Sequence, residues 1–259
     1  MLGKLLKYEF KATSRIFIPL LLLLVILTPI TKFMISFIDK FKGFAEIIPI
    51  LTTASYGMLI IAICVTAFIF MIYRFYKNLL TEEGYLMFTL PVSVHSLILS
   101  KAIVAFFWTI ISYAASGLSF LVLIYSAELK DKFFYYYDMI SKAAYAEMKF
   151  ELTHFIVWTC VLMIISQIYV IFYAYCSIAI GQLSRHKILG GIAAAIVINI
   201  TLQFVTNAAL IPFTLSIDDT NVVSSLTNLY LISAAMSIAI TAVFYFITTT
   251  ILQKKLNLT

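Results

Sequence analysis

Along this chain apolar residues come in long blocks almost free of charge, and polar residues crowd into the gaps between them. The blocks cover residues 16–38 (broken only by Lys32), 47–73, 102–127, 152–184, 188–217 and 220–253. Each is longer than the roughly 20 residues that carry a helix across a hydrocarbon core about 30 Å thick. Backbone amides inside lipid have no water to bond, so a spanning segment must satisfy them within itself as a helix. The pattern predicts an all-α integral membrane protein of six transmembrane helices, forming a single transmembrane domain over residues 1–259.

The gaps differ in charge, and this asymmetry predicts orientation, because the inner flanks of membrane helices retain Lys and Arg. One set of flanks holds Lys4, Lys7, Lys11, Arg15, Arg74, Lys77, Lys101, Arg185, Lys187, Lys254 and Lys255, against only Glu9, Glu82 and Glu83. The opposite set mixes lysines from Lys32 to Lys149 with a larger number of acids from Asp39 to Asp219. Both termini are therefore expected on the cytoplasmic side. The net charge of +6 reports topology rather than a nucleic-acid partner, since the cations are divided among separate loops instead of forming one patch.

Cys64, Cys160 and Cys176 all fall within predicted spans, so no disulfide framework is expected. The longest polar segment is the outer loop 128–151, too short for a sizeable soluble domain. Residues 1–15 carry a pattern of their own. Lys4, Lys7, Lys11 and Arg15 recur every three or four residues and share a helix face, with Leu2, Leu5, Leu6 and Phe10 largely on the other side. This predicts an amphipathic interfacial helix, its cations at anionic lipid headgroups and its leucines in the acyl boundary. It serves either as a topology anchor or as an elbow bearing on a cytosolic partner.

The most distinctive gap is the cytoplasmic loop 74–101, which with the preceding tyrosine reads YRFYKNLLTEEGYLMFTLPVSVHSLILSK. It is too long for a tight turn and too apolar for a solvated linker. Tyr85, Leu86, Met87, Phe88 and Leu90 form a cluster that calls for burial against something. Gly84 reads as the C-cap that ends an extension of the second helix, and Pro91 disfavours helix at Leu90, leaving room for a short element between them.

The opening MLGKLLKYEFKATSR, the six spans, and the loop KNLLTEEGYLMFTLPVS with a lysine at the start of the next helix resemble permease subunits of bacterial ABC exporters of the type-2 (type V) class. The resemblance implies that this loop carries a coupling helix docking into a groove of a separate ABC ATPase subunit. Carried over, residues 81–91 are that element, with Glu82 and Glu83 as ion-pair partners and Tyr85, Leu86, Met87 and Phe88 as anchor, between Gly84 and Pro91. The alternative is that the segment packs beneath its own membrane bundle. The resemblance also implies a multi-pass location in a bacterial cell membrane and a second permease copy, identical or similar. No G-x-x-x-x-G-K-[ST] phosphate loop occurs. The chain is accordingly read as binding no cofactor and not as an enzyme, with ATP and Mg expected on the partner subunit.

Polar residues inside the spans carry the remaining chemistry. Asn199, Gln203 and Asn207 recur at every fourth position, with Thr206 close by. Amides against lipid are costly, so this stripe is expected to face other helices or a cavity. The second span adds Thr52, Thr53, Ser55 and Tyr56. Interhelical hydrogen bonding and a translocation path both account for such stripes, and the resemblance favours the second and fifth spans as path walls. They hold no Asp, Glu or Arg, which argues against an ion-coupled carrier; a lining of amides, hydroxyls and aromatics suits an amphipathic or apolar cargo such as a peptide, lipid or drug-like molecule, moved outward. His95, His154 and His186 are divided between the two membrane faces and are not read as metal ligands. In the outer loop Phe133, Tyr137, Ile140 and Ala144 share a face, as in a helix resting on the outer interface or capping an exit. The competing function is that of a non-transporting membrane protein, an immunity or sensor-associated subunit acting by partner binding.

Overall fold

A computed structural model describes residues 2–37, 47–89, 91–125, 127–148, 152–215 and 222–254. Among the described residues the chain is helical throughout, in the order α1 (Leu2–Ser36), α2 (Ile47–Leu80), α3 (Glu82–Phe88), α4 (Val94–Ile124), α5 (Ala127–Met148), α6 (Leu152–Gly181), α7 (Lys187–Leu215) and α8 (Val222–Lys254). Six of these, α1, α2, α4, α6, α7 and α8, are long and apolar enough to cross a membrane, in agreement with the six apolar blocks. Their outward faces carry exposed residues such as Val25, Met58, Val197 and Phe204, as lipid contact requires. The expected span limits at residues 38, 216–217 and 220, and the outer-loop residues 149–151, lie outside the described residues.

The chain divides into two compact units, one of Met1–Arg74 with Leu99–Lys132, the other of Phe75–Ile98 with Phe133–Thr259. In the first, α1 packs with the greater part of α2 and of α4. Phe17, Ala67, Val104 and Trp108 form one buried cluster, flanked by Leu6, Phe10, Leu21 and Phe70. Leu24, Tyr56, Leu59 and Ile63 form another. The Phe17 and Trp108 rings stack with centroids 4.8 Å apart. Lys32, the one charge in the first apolar block, donates to the carbonyls of Val122 at 2.8 Å and Tyr125 at 3.0 Å. It thus caps the end of α4, where a cation meets the negative pole of the helix.

A separate interfacial helix over residues 1–15 is not what forms. α1 runs unbroken from Leu2 to Ser36, because no Gly or Pro lies between Lys4 and Ile18 and the Thr13 and Ser14 hydroxyls bond back to the Glu9 and Lys11 carbonyls of the same helix. The expected polarity of the segment is nevertheless present: Lys4, Lys7, Lys11 and Arg15 are exposed, while Leu2, Leu5, Leu6 and Phe10 are half-buried. Leu6 and Phe10 pack against the unit's own core.

In the second unit α6 packs against both α7 and α8. The Tyr173 hydroxyl donates to the Ala195 carbonyl at 2.6 Å, and Phe244 sits beside the rings of Tyr169 and Tyr173. The reversal from α6 to α7 brings two backbones together: a Cβ on Gly181 would lie 2.4 Å from the Gly191 nitrogen. Only glycine permits that approach.

Candidate functional site

Glu9 falls on the apolar face of α1, in line with Leu2, Leu6 and Thr13. Buried there, it accepts from Lys101 Nζ at 2.7 Å and from Arg74 Nη2 at 2.5 Å. The side chains of Glu9 and Lys101 are only 9% and 2% exposed, and that of Arg74 23%. One carboxylate thereby joins α1 to the residue where α2 leaves the first unit and to the third residue of α4 within it. A second link runs beside it: Trp108 Nε1 donates to Thr13 Oγ1 at 2.7 Å, and that hydroxyl donates to the Glu9 carbonyl at 2.9 Å. Arg74 Nε, also buried, has no hydrogen-bond partner among the described residues. The charge pattern treats these three residues only as inner-flank charges. The overlooked signal is positional, an acid centred on the leucine side of a helix whose cations occupy the opposite side.

The loop 74–101 has buried roots and an exposed tip. Phe75 stacks on Tyr175 of α6 with centroids 3.9 Å apart, and Leu79, Leu80, Leu97 and Ile98 are buried. His95 Nδ1 meets the Tyr245 hydroxyl of α8 at 2.6 Å. At the tip, α3 presents Tyr85 and Leu86, 65% and 68% exposed. Met87 and Phe88 are half-buried, and Glu83, Thr89 and Pro91 are exposed. The anchor expected from Tyr85 to Phe88 is thus split, its first two residues free of the chain's own packing and its last two partly held by it.

Gly84 does not cap α2, which ends at Leu80; it lies inside α3. Its role is close approach, since a Cβ there would lie 2.6 Å from the Leu79 carbonyl oxygen, and this lets α3 fold back on the end of α2. Glu83 pairs with Lys77 of the same chain at 3.3 Å, with both side chains about half exposed. An ion pair so open to water contributes little and exchanges readily. The side chain of Glu82, and Leu90, lie outside the described residues.

The residues expected along a path are scattered in role. Tyr56 is buried in the first unit, its hydroxyl 2.8 Å from Ser119 Oγ, and its ring packs with Leu24, Ala115 and their neighbours in the unit's core. Thr52 and Thr53 bond to the carbonyls of Ile48 and Pro49 one turn back. In the second unit Asn199, Gln203 and Asn207 are exposed, and Gln203 Nε2 donates to Asn199 Oδ1 at 3.0 Å. Within the second unit the amide stripe is exposed, while α7 packs against α6 and α8.

The fold defines an all-α, multi-pass membrane protein. In comparisons with known proteins no family model matches the chain, and no curated protein or solved structure matches it.

Proposed function

We propose that this chain is the membrane subunit of an ATP-driven exporter, pairing with a separate ABC ATPase subunit and a second permease copy to move an amphipathic or apolar substrate outward across a bacterial cell membrane. The observation that carries the reading is the pair Tyr85 and Leu86, exposed at the tip of a short helix whose flanking segments are buried. Exposed apolar side chains on a firmly rooted element are what a docking contact needs: anchors pre-positioned at low entropic cost. Glu83 adds a carboxylate whose weak internal pair can be exchanged for a partner's cation. ATP and Mg belong to the partner, whose closure would press on α3 and be relayed through its roots. The amide stripe of α7 supplies polar groups in a spanning helix, where either a second copy or an amphipathic cargo satisfies them.

The test is co-purification of the tagged chain from its native membrane, with mass spectrometry of bound proteins and an ATPase assay, for wild type and for Tyr85→Ala with Leu86→Ala. An ATPase that accompanies the wild type and is lost from the variant is the expected result. No ATPase with either form would move the assignment to a non-transporting membrane protein.

A further inference from the structure

Phe133, Phe134, Tyr135 and Tyr136 stand consecutively in α5, and they are exposed together with Met139, Ile140 and Tyr145. At 100° per residue Phe133, Tyr136, Tyr137, Ile140 and Ala144 share one face, while Asp131, Asp138 and Lys142 share the opposite one. Asp138 and Lys142 are ion-paired on that polar side. α5 is absent from the helices apolar enough to cross a membrane, so its aromatics are not those of a span.

The neighbouring helices fix the depth of both its ends. α4 keeps Leu121, Val122 and Ile124 exposed up to its last turn. The Lys32 ammonium, which belongs at the polar boundary of a bilayer, holds the carbonyls of Val122 and Tyr125. The chain thus leaves hydrocarbon at Tyr125, two residues before α5 begins. α6 opens with exposed Phe155, Ile156 and Val157, so it enters hydrocarbon within its first turns. Only residues 149–151 separate Met148 from Leu152, a reach of at most about 14 Å. As a helix of 22 residues, α5 is about 33 Å long. Standing upright from the end of α4, it would carry Met148 far beyond that reach.

We propose that α5 lies along the membrane surface on the face where α4 ends and α6 begins, with Phe133, Tyr136, Tyr137 and Ile140 in the boundary between headgroups and acyl chains and the Asp138–Lys142 pair toward water. Rings of this kind favour that depth. Its charges nearly cancel: Glu128, Asp131, Asp138 and Glu147 against Lys130, Lys132 and Lys142. The contact is therefore apolar and indifferent to anionic lipid, unlike one made by a lysine stripe.

The experiment uses the full chain in phosphatidylcholine vesicles. Hydroxyl-radical footprinting of the unmodified protein reads Tyr135, on the polar side, against Tyr136, on the apolar side. Nitroxide labels at Ile140→Cys and Tyr135→Cys, in a background with Cys64, Cys160 and Cys176 replaced by Ala, read collisions with oxygen and with a water-soluble nickel chelate. Oxidation of Tyr135 severalfold above Tyr136, oxygen preference at 140 and nickel preference at 135, all unchanged when a fifth of the lipid is anionic, are expected. Equal oxidation of both tyrosines, or equal nickel access at both labels, would mean that α5 projects into water. Protection at every position would mean that protein covers it. Either outcome overturns the proposal, and footprinting decides alone if the cysteine-free background fails to fold.

Discussion

Removing the charge of Glu9 would leave Lys101, almost wholly buried, and Arg74, mostly so, facing each other across the space where one carboxylate served both. Breaking a buried pair by deleting one partner costs about 3–5 kcal/mol, because the remaining charge stays desolvated. Glu9→Gln should destabilise the chain by that order in thermal unfolding in detergent. Lys101→Met should cost less, since Glu9 then keeps Arg74 as a counter-charge, and Lys101→Met added to Glu9→Gln should recover part of the loss. A cost for Lys101→Met as large as for Glu9→Gln would show that packing, not charge balance, dominates there. Trp108→Phe should keep a ring against Phe17 while losing the donor to Thr13, for about 1 kcal/mol. These contacts join residues more than 60 positions apart, so no local pattern pairs them; only the misplaced acid on the leucine face of α1 was open to reading.

At the level of the elements, glycines decide two reversals. Gly84→Ala places a methyl 2.6 Å from the Leu79 carbonyl oxygen, so α3 must shift off the end of α2. Limited proteolysis should then cut the loop 74–101 faster, with total helicity by circular dichroism unchanged. Gly181→Ala drives a methyl into the Gly191 backbone and should destabilise the α6–α7 reversal by about 1–3 kcal/mol, the usual cost of overpacking, read as a lowered midpoint in the same thermal assay. Sequence pattern placed a short element between Gly84 and Pro91, whereas the helix is Glu82–Phe88 and takes Gly84 inside it; a C-cap glycine and a close-approach glycine look alike until the opposing backbone is seen. It likewise ended the first helix at Arg15, where polarity changes, although nothing in the covalent chain stops the helix there.

Across the whole molecule the six spans were legible because lipid leaves a polar-gapped apolar block few alternatives to a helix. Which faces of those helices meet was not, since lipid-facing and protein-facing positions are equally apolar; α7 is the clearest case, with no buried position among its described residues. Its exposed Asn199, Gln203 and Asn207 retain unused amide donors and acceptors. On the proposed pairing of two copies, replacing all three by Leu should weaken that pairing in vesicles by about 1–2 kcal/mol, the range for hydrogen bonds between membrane helices, measured by energy transfer between labelled copies. Unchanged transfer would exclude this stripe as the contact between copies.

The Lys32 cap has a consequence when it is set beside Glu9. Both residues stand on α1, and both grip α4, Glu9 at Lys101 and Lys32 at the carbonyls of Val122 and Tyr125. From residue 9 to 32 on one helix is about 34 Å, and from 101 to 122 on the other about 32 Å, so the rods run the same way with their fastenings roughly one bilayer apart. Sliding α1 along α4 would have to break the Glu9–Lys101 contact or the Lys32 cap, so the pair resists a piston motion.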